Sequence, residues 1–167
     1  WEYVDKLARE NGVGNKWESD KPRVALHHGR ALVATGHFKE ALPVVTLALE
    51  GLAARAKAQP NPNLDRMQAW QQLHRAQALY STGESAQALA IVQQSMNLLT
   101  PMSEQPKARD TLLNLGEAQV LMMRWQPAKQ LVWRQRAITS YEKAHALLAL
   151  AGDHEAQLQA LQAMAKP

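Results

Sequence analysis

The side chains best equipped for chemistry in this chain of 167 residues are its six histidines, His27, His28, His37, His74, His145 and His154. A metal site built on one helix wants ligands four residues apart on the same face, and no two of these histidines stand at that spacing. His27 and His74 occupy the same slot in two similar stretches, so a fold that stacks those stretches brings them near one another, but no carboxylate or third imidazole accompanies them at a ligand spacing. They are expected as polar surface residues. There are no cysteines, which removes thiol nucleophiles, Cys-ligated zinc and disulfides together. No HExxH, GxSxG, phosphate-loop or Gly-rich dinucleotide motif occurs either. The expectation is a non-catalytic chain with no metal and no cofactor.

A second kind of chemistry is carried by charge. Arg124, Lys129, Arg134, Arg136 and Lys143 form a basic stretch whose one acid is Glu142, and Trp125 and Trp133 lie inside it. Such a stretch suits nucleic acid or an acidic protein surface. Lys129, Arg136 and Lys143 are seven apart, however, which is the spacing of an ordinary solvated helix face. With a net charge of only +4, nucleic acid is the weaker expectation.

The elements that must position these residues are helical. A single Phe and an abundance of Ala, Leu and Gln favour an all-α chain. No apolar run approaches the roughly 20 residues of a membrane span. A chain that opens on Trp1 reads as a piece of a longer protein. The expected compartment is the cytoplasm, with an upstream signal segment left open.

The stretch from Val24 to Leu42 recurs 47 residues later, and both copies place a small residue seven before a glycine and an alanine five after it. Two matched helical hairpins are expected, within one stack of repeats. Residues 1–11 form the end of a preceding hairpin, stopped by Gly12 and Gly14, and residues 1–20 with their linker stand apart from the repeats. A helix over 21–35 starts on Ser19 or Asp20 with Pro22 in its first turn, and Gly36 ends it. Residues 37–57 follow, with Phe38, Ala41, Leu42, Val45, Leu49 and Leu52 inward. After a loop over 58–63, Asp65 caps a helix over 64–82 that Gly83 ends. Its pair over 86–99 buries Ala88, Leu89, Val92, Met96 and Leu99, and Thr100-Pro101 closes that hairpin.

A third pair begins after a loop over 102–106, with Leu112, Leu115, Gly116 and Val120 on its first helix. Beyond it, 127–150 is either one long helix or two shorter ones, and Gly152-Asp153 starts a last helix over 153–165. The repeating units are then 21–58, 64–100, 104–135 and 136–165. Gly29 to Ala41, Ala76 to Ala88, Gly116 to Ala128 and Ala144 to Ala156 are each separated by 12 residues. A small side chain is needed on each helix where two axes come closest, and the intervening turn fixes that distance.

These residues resemble the tetratricopeptide repeat superfamily, whose signature is a small residue, a large one three later, then a second-helix alanine with a large residue four later. Here those are Gly29 and Leu32 with Ala41 and Val45, Ala76 and Leu79 with Ala88 and Val92, Gly116 with Ala128 and Val132, and Ala144 and Leu147 with Ala156 and Ala160. Gln119 stands where the third copy should have its large residue, and no copy has the family's full Trp-Leu-Gly-Tyr set. The resemblance implies an α-α superhelix, a TPR-like solenoid of antiparallel hairpins whose first helices line a concave, peptide-binding surface. Carried across, the lining residues are Arg23, His27 and Arg30, then Trp70, His74, Gln77 and Tyr80, then Asn114 and Glu117, then Tyr141. The family's clamp for a C-terminal carboxylate is absent, since Leu26, Leu73 and Leu113 hold its positions. The implied function is binding of a protein or peptide. The long, uneven periods are similar to those appended to bacterial transcription regulators and serine/threonine kinases, which implies as alternative a self-association or intramolecular regulatory domain.

Overall fold

The computed structural model describes residues 14–105 and 108–151, with Lys6, Glu10 and Gly12. Among the described residues all regular structure is helical, and no helix is long and apolar enough to cross a membrane. The expected helix over 153–165 lies outside the described residues, as does most of that over 1–11, of which Lys6 and Glu10 are helical and paired at 3.8 Å. The chain divides into two compact units, residues 1–83 and 84–167.

In the first unit α1 (Gly14–Ala34), α2 (Phe38–Ala58) and α3 (Pro62–Ser81) pack in chain order, and α1 also touches α3. Gly36 ends α1 as its sequence position requires. Its φ is +81°, and the amides of Gly36 and His37 donate to the carbonyls of Val33 and Leu32 at 3.1 and 2.8 Å, closing a Schellman turn. Gly83 after α3 is likewise left-handed, at +102°. Thr35 and Thr82, immediately before these glycines, each donate a hydroxyl back to the carbonyl four residues earlier. The paired Thr-Gly therefore repeats as a turn as well as a word.

Two starts differ from expectation. Helix α1 begins at Gly14, not near residue 21, so the polar linker over 15–20 is helical and Pro22 sits inside the helix. Pro22 packs where α2 has Gly51, whose missing side chain makes room for the ring: a Cβ there would lie 2.1 Å from Pro22 Cβ. Packing against α2 thus keeps a proline that local preference would place at a helix start. Helix α3 begins at Pro62 and is capped by Asn61 instead of Asp65. The Asn61 side-chain oxygen accepts from the Asn63 amide at 2.8 Å, and proline at the first helical position loses no needed donor.

Helix α2 buries Ala41, Val44, Val45, Ala48 and Leu52, while Phe38, Leu42 and Leu49 are half-buried. Its apolar face is rotated from the expected stripe toward Val44 and Ala48 because α2 is packed on two sides, by α1 and by α3. The close approach of α1 and α2 falls at Gly29, where a Cβ would meet Val45 Cγ2 at 2.7 Å. One core cluster joins Ala25, Leu26, Val44, Ala48, Leu52 and Leu64, with Trp70 packed against it.

In the second unit α4 (Ser85–Met102), α5 (Arg109–Trp125), a short 3-10 turn (Pro127–Lys129) and α6 (Gln130–Ala151) follow one another, with α5 packed on both α4 and α6. Ala88, Val92, Met96 and Leu99 are buried on α4 as expected, Leu89 is half-buried, and Ile91 and Ser95 join them. Pro101 does not close the helix, which runs on to Met102, since proline in a last turn forfeits only one bond. Residues 130–151 form one continuous helix, so the unit boundary expected at 135/136 falls inside it. The third copy of the spacing does not pack as the sequence implies. Ala128 is exposed in the 3-10 turn and Val132 is 53 % exposed. Gly116 instead receives the ring of Tyr141, two of whose atoms would lie 2.8 Å from an added Cβ.

Candidate functional site

On α1 the burial of Ala25, Leu26, Gly29 and Val33 turns the opposite stripe outward, and Arg23, His27 and Arg30 are all exposed on it. Their spacings of four and three place them along one helix face. Arg23 is held loosely, 3.6 Å from Asp20 one turn earlier. On α3 the half-buried Trp70 anchors its ring on the core of the first unit, with Gln77 and Tyr80 half-buried further along the same helix.

Arg30 joins the two helices. Its guanidinium carbon lies 5.2 Å from the centre of the Trp70 ring, within the range where the negative face of an indole attracts a cation. The edge of His74 meets Trp70 at 4.9 Å between ring centres and 87° between planes. His74 Nδ1 is 3.0 Å from the Trp70 carbonyl, which can only accept, so Nδ1 carries the proton in that bond. The imidazole therefore braces the tryptophan and is buried in doing so. This corrects the expectation that His27 and His74 are equivalent surface residues. His27 lies on an exposed face of α1, whereas the same slot on α3 faces into packed structure.

The remaining candidates belong to the second unit. Glu117 is half-buried on α5, but Asn114 and Tyr141 are buried and do not form a surface. Tyr141 fills the space above Gly116. Burial pushes its phenol above the ordinary value of 10.0, and nearby Glu117 pushes it in the same direction, while Arg124 opposes them. In the basic stretch, Trp133 is buried, its indole N–H donating to Gln126 Oε1 at 3.1 Å, and the Arg136 guanidinium carbon stands 4.8 Å from the centre of its ring.

Sequence reasoning missed Gln71, which is fully buried on α3 with neither amide atom in a hydrogen bond among the described residues; a glutamine beside Gln72 carries no pattern that marks it as buried. No group of three or more metal-ligating side chains occurs among the described residues. What α1 and α3 offer is a ring held by His74, flanked by guanidinium and amide groups that can bond a peptide backbone or a carboxylate. No protein-family profile, curated protein or solved structure matches the chain.

Proposed function

We propose that this chain is a non-catalytic interaction module that holds a peptide or protein partner on the face shared by α1 and α3 of its first unit. The observation that carries the reading is Arg30 lying over Trp70. An aromatic anchored in the core and a cation fixed above it supply apolar area and directional bonding in one place, with little ordering cost left for binding. Arg23, His27 and Gln77 extend the same face along the two helices. The glycine-ended hairpin of α1 and α2, with Gly29 against Val45, supports the tetratricopeptide-like reading in which such a face receives an extended segment.

A displayed peptide library selected on the whole chain tests the reading. Enriched peptides should lose about tenfold or more in affinity on Arg30→Glu, an exposed substitution, and again on Trp70→Ala provided circular dichroism shows a folded chain. Peptides that bind both folded variants as well as they bind the wild type would place the partner elsewhere.

A further inference from the structure

The tetratricopeptide-like spacing puts Ala128 and Val132 in a helix seam, and the structure puts both outside it. At the start of α6, Leu131 is 78 % exposed and Val132 53 % exposed, the two most exposed large aliphatic side chains among the described residues. One exposed aliphatic side chain needs no explanation, but two adjacent ones at the start of a helix whose other described large apolar side chains are buried or half-buried form a patch. Trp133, Ala137, Tyr141, Ala144 and Leu148 face inward from the same helix, so these two aliphatics are not a core face left bare.

Each aliphatic side chain has an exposed cation one turn further along, Arg134 three residues after Leu131 and Arg136 four after Val132. Arg136 is steadied by its position over Trp133, and Lys129 is exposed just before the patch. From residue 118 to residue 150 the chain has five Lys and Arg and one acid, Glu142. We propose that the start of α6 is a second docking surface, and that its occupant is an acidic amphipathic peptide segment which seats aliphatic side chains on Leu131 and Val132 and carboxylates on Arg134 and Arg136.

Charge and shape select this occupant over the others. A second copy of the chain meeting the patch with its own patch would set cations against cations. Nucleic acid wants exposed aromatic platforms, whereas Trp133 is buried and the most exposed groups are aliphatic. A membrane surface wants a continuous apolar face on the helix, and the apolar face of α6 is already used inside the second unit. Opposite charges around a small aliphatic centre fit a peptide whose carboxylates flank leucine-like anchors.

The test uses the full chain and a fluorescent synthetic peptide with Leu at helical spacings of three and four and Glu at the flanking positions. Competitors are a scrambled peptide of the same composition, a DNA oligonucleotide and vesicles containing anionic lipid. Anisotropy should show binding of the patterned peptide in the micromolar range, about tenfold weaker on Leu131→Ser with Val132→Ser and on Arg134→Glu with Arg136→Glu. Both pairs of substitutions are at exposed positions, and unchanged melting curves would confirm that each variant is folded. Arg30→Glu should leave this affinity unchanged, which separates the surface from the one on α1 and α3. Absence of binding up to about millimolar peptide, equal binding of the scrambled peptide, preference for the DNA or the vesicles, or indifference to the Leu131 and Val132 substitutions would each overturn the proposal.

Discussion

Tyr141 shows how a residue expected on a surface came to be part of a core. An aromatic ring needs a recess, and Gly116 on the facing helix is the recess: an added Cβ there would stand 2.8 Å from two ring atoms. Because burial, and after it Glu117, raise the phenol above 10.0, the folded state prefers the neutral ring. The sign follows from linkage. Stability from this preference is complete below the unfolded value of about 10 and is lost as pH rises from there through the raised folded value, where the unfolded chain gives up the proton first. Denaturant titrations near pH 8 and near pH 11 should therefore show a smaller alkaline loss of stability for Tyr141→Phe than for wild type. Equal losses in the two proteins would mean that Tyr141 is solvated. His74 and Asn114 are likewise buried although their polar character made them look like surface residues; which neighbours a polar side chain meets is decided by packing that no single stretch of sequence records.

At the scale of elements, α1 and α2 meet at two points where one helix carries a glycine, Gly29 against Val45 and Gly51 against Pro22. The first was legible, because a small residue at a fixed distance from Gly36 repeats in the second copy as Ala76 before Gly83. The second was not, because a proline is read locally as a helix start, and only the partner helix shows why α1 continues through it. Gly51→Ala should isolate this contact. Alanine gains about 1 kcal/mol of helix propensity over glycine. Its Cβ would fall 2.1 Å from Cβ of a proline ring that cannot swing aside, so the helices must part, and we expect a net loss of about 1–3 kcal/mol. Pro22→Gly in the same chain, which removes the Cβ that the new methyl would meet, should recover much of that loss in a double-mutant cycle, whereas additive effects would show that the two residues do not meet.

Across the whole molecule, the 12-residue spacing is one regularity with unequal structural meaning. Ala41, Ala76 and Ala88 are all fully buried, while Ala128, at the same offset from Gly116, is exposed. The turns explain the difference. Gly36 and Gly83 each allow the left-handed residue that stops a helix cleanly, but the third copy has Met123 where that glycine would be. Helix α5 runs on to Trp125 and a 3-10 turn at Pro127 takes up residues that would otherwise begin the partner helix. Composition and periodicity thus made the all-helical class and most helix limits readable, whereas the third copy's seam depended on a turn geometry that spacing alone does not encode. Two arginine substitutions on the second-helix part of the repeat signature, one at the alanine of the second copy and one at the large residue of the third, discriminate these cases. Ala88→Arg forces a charged side chain into a fully buried site and should cost at least about 3 kcal/mol or prevent folding. Val132→Arg, at the second-helix position of the third copy, extends from an exposed site and should change stability by no more than about 0.5 kcal/mol. Thermal and denaturant unfolding of the two variants beside wild type makes the comparison. A large loss from Val132→Arg would restore the regular seam in the third copy, and tolerance of Ala88→Arg would contradict the burial of that face of α4.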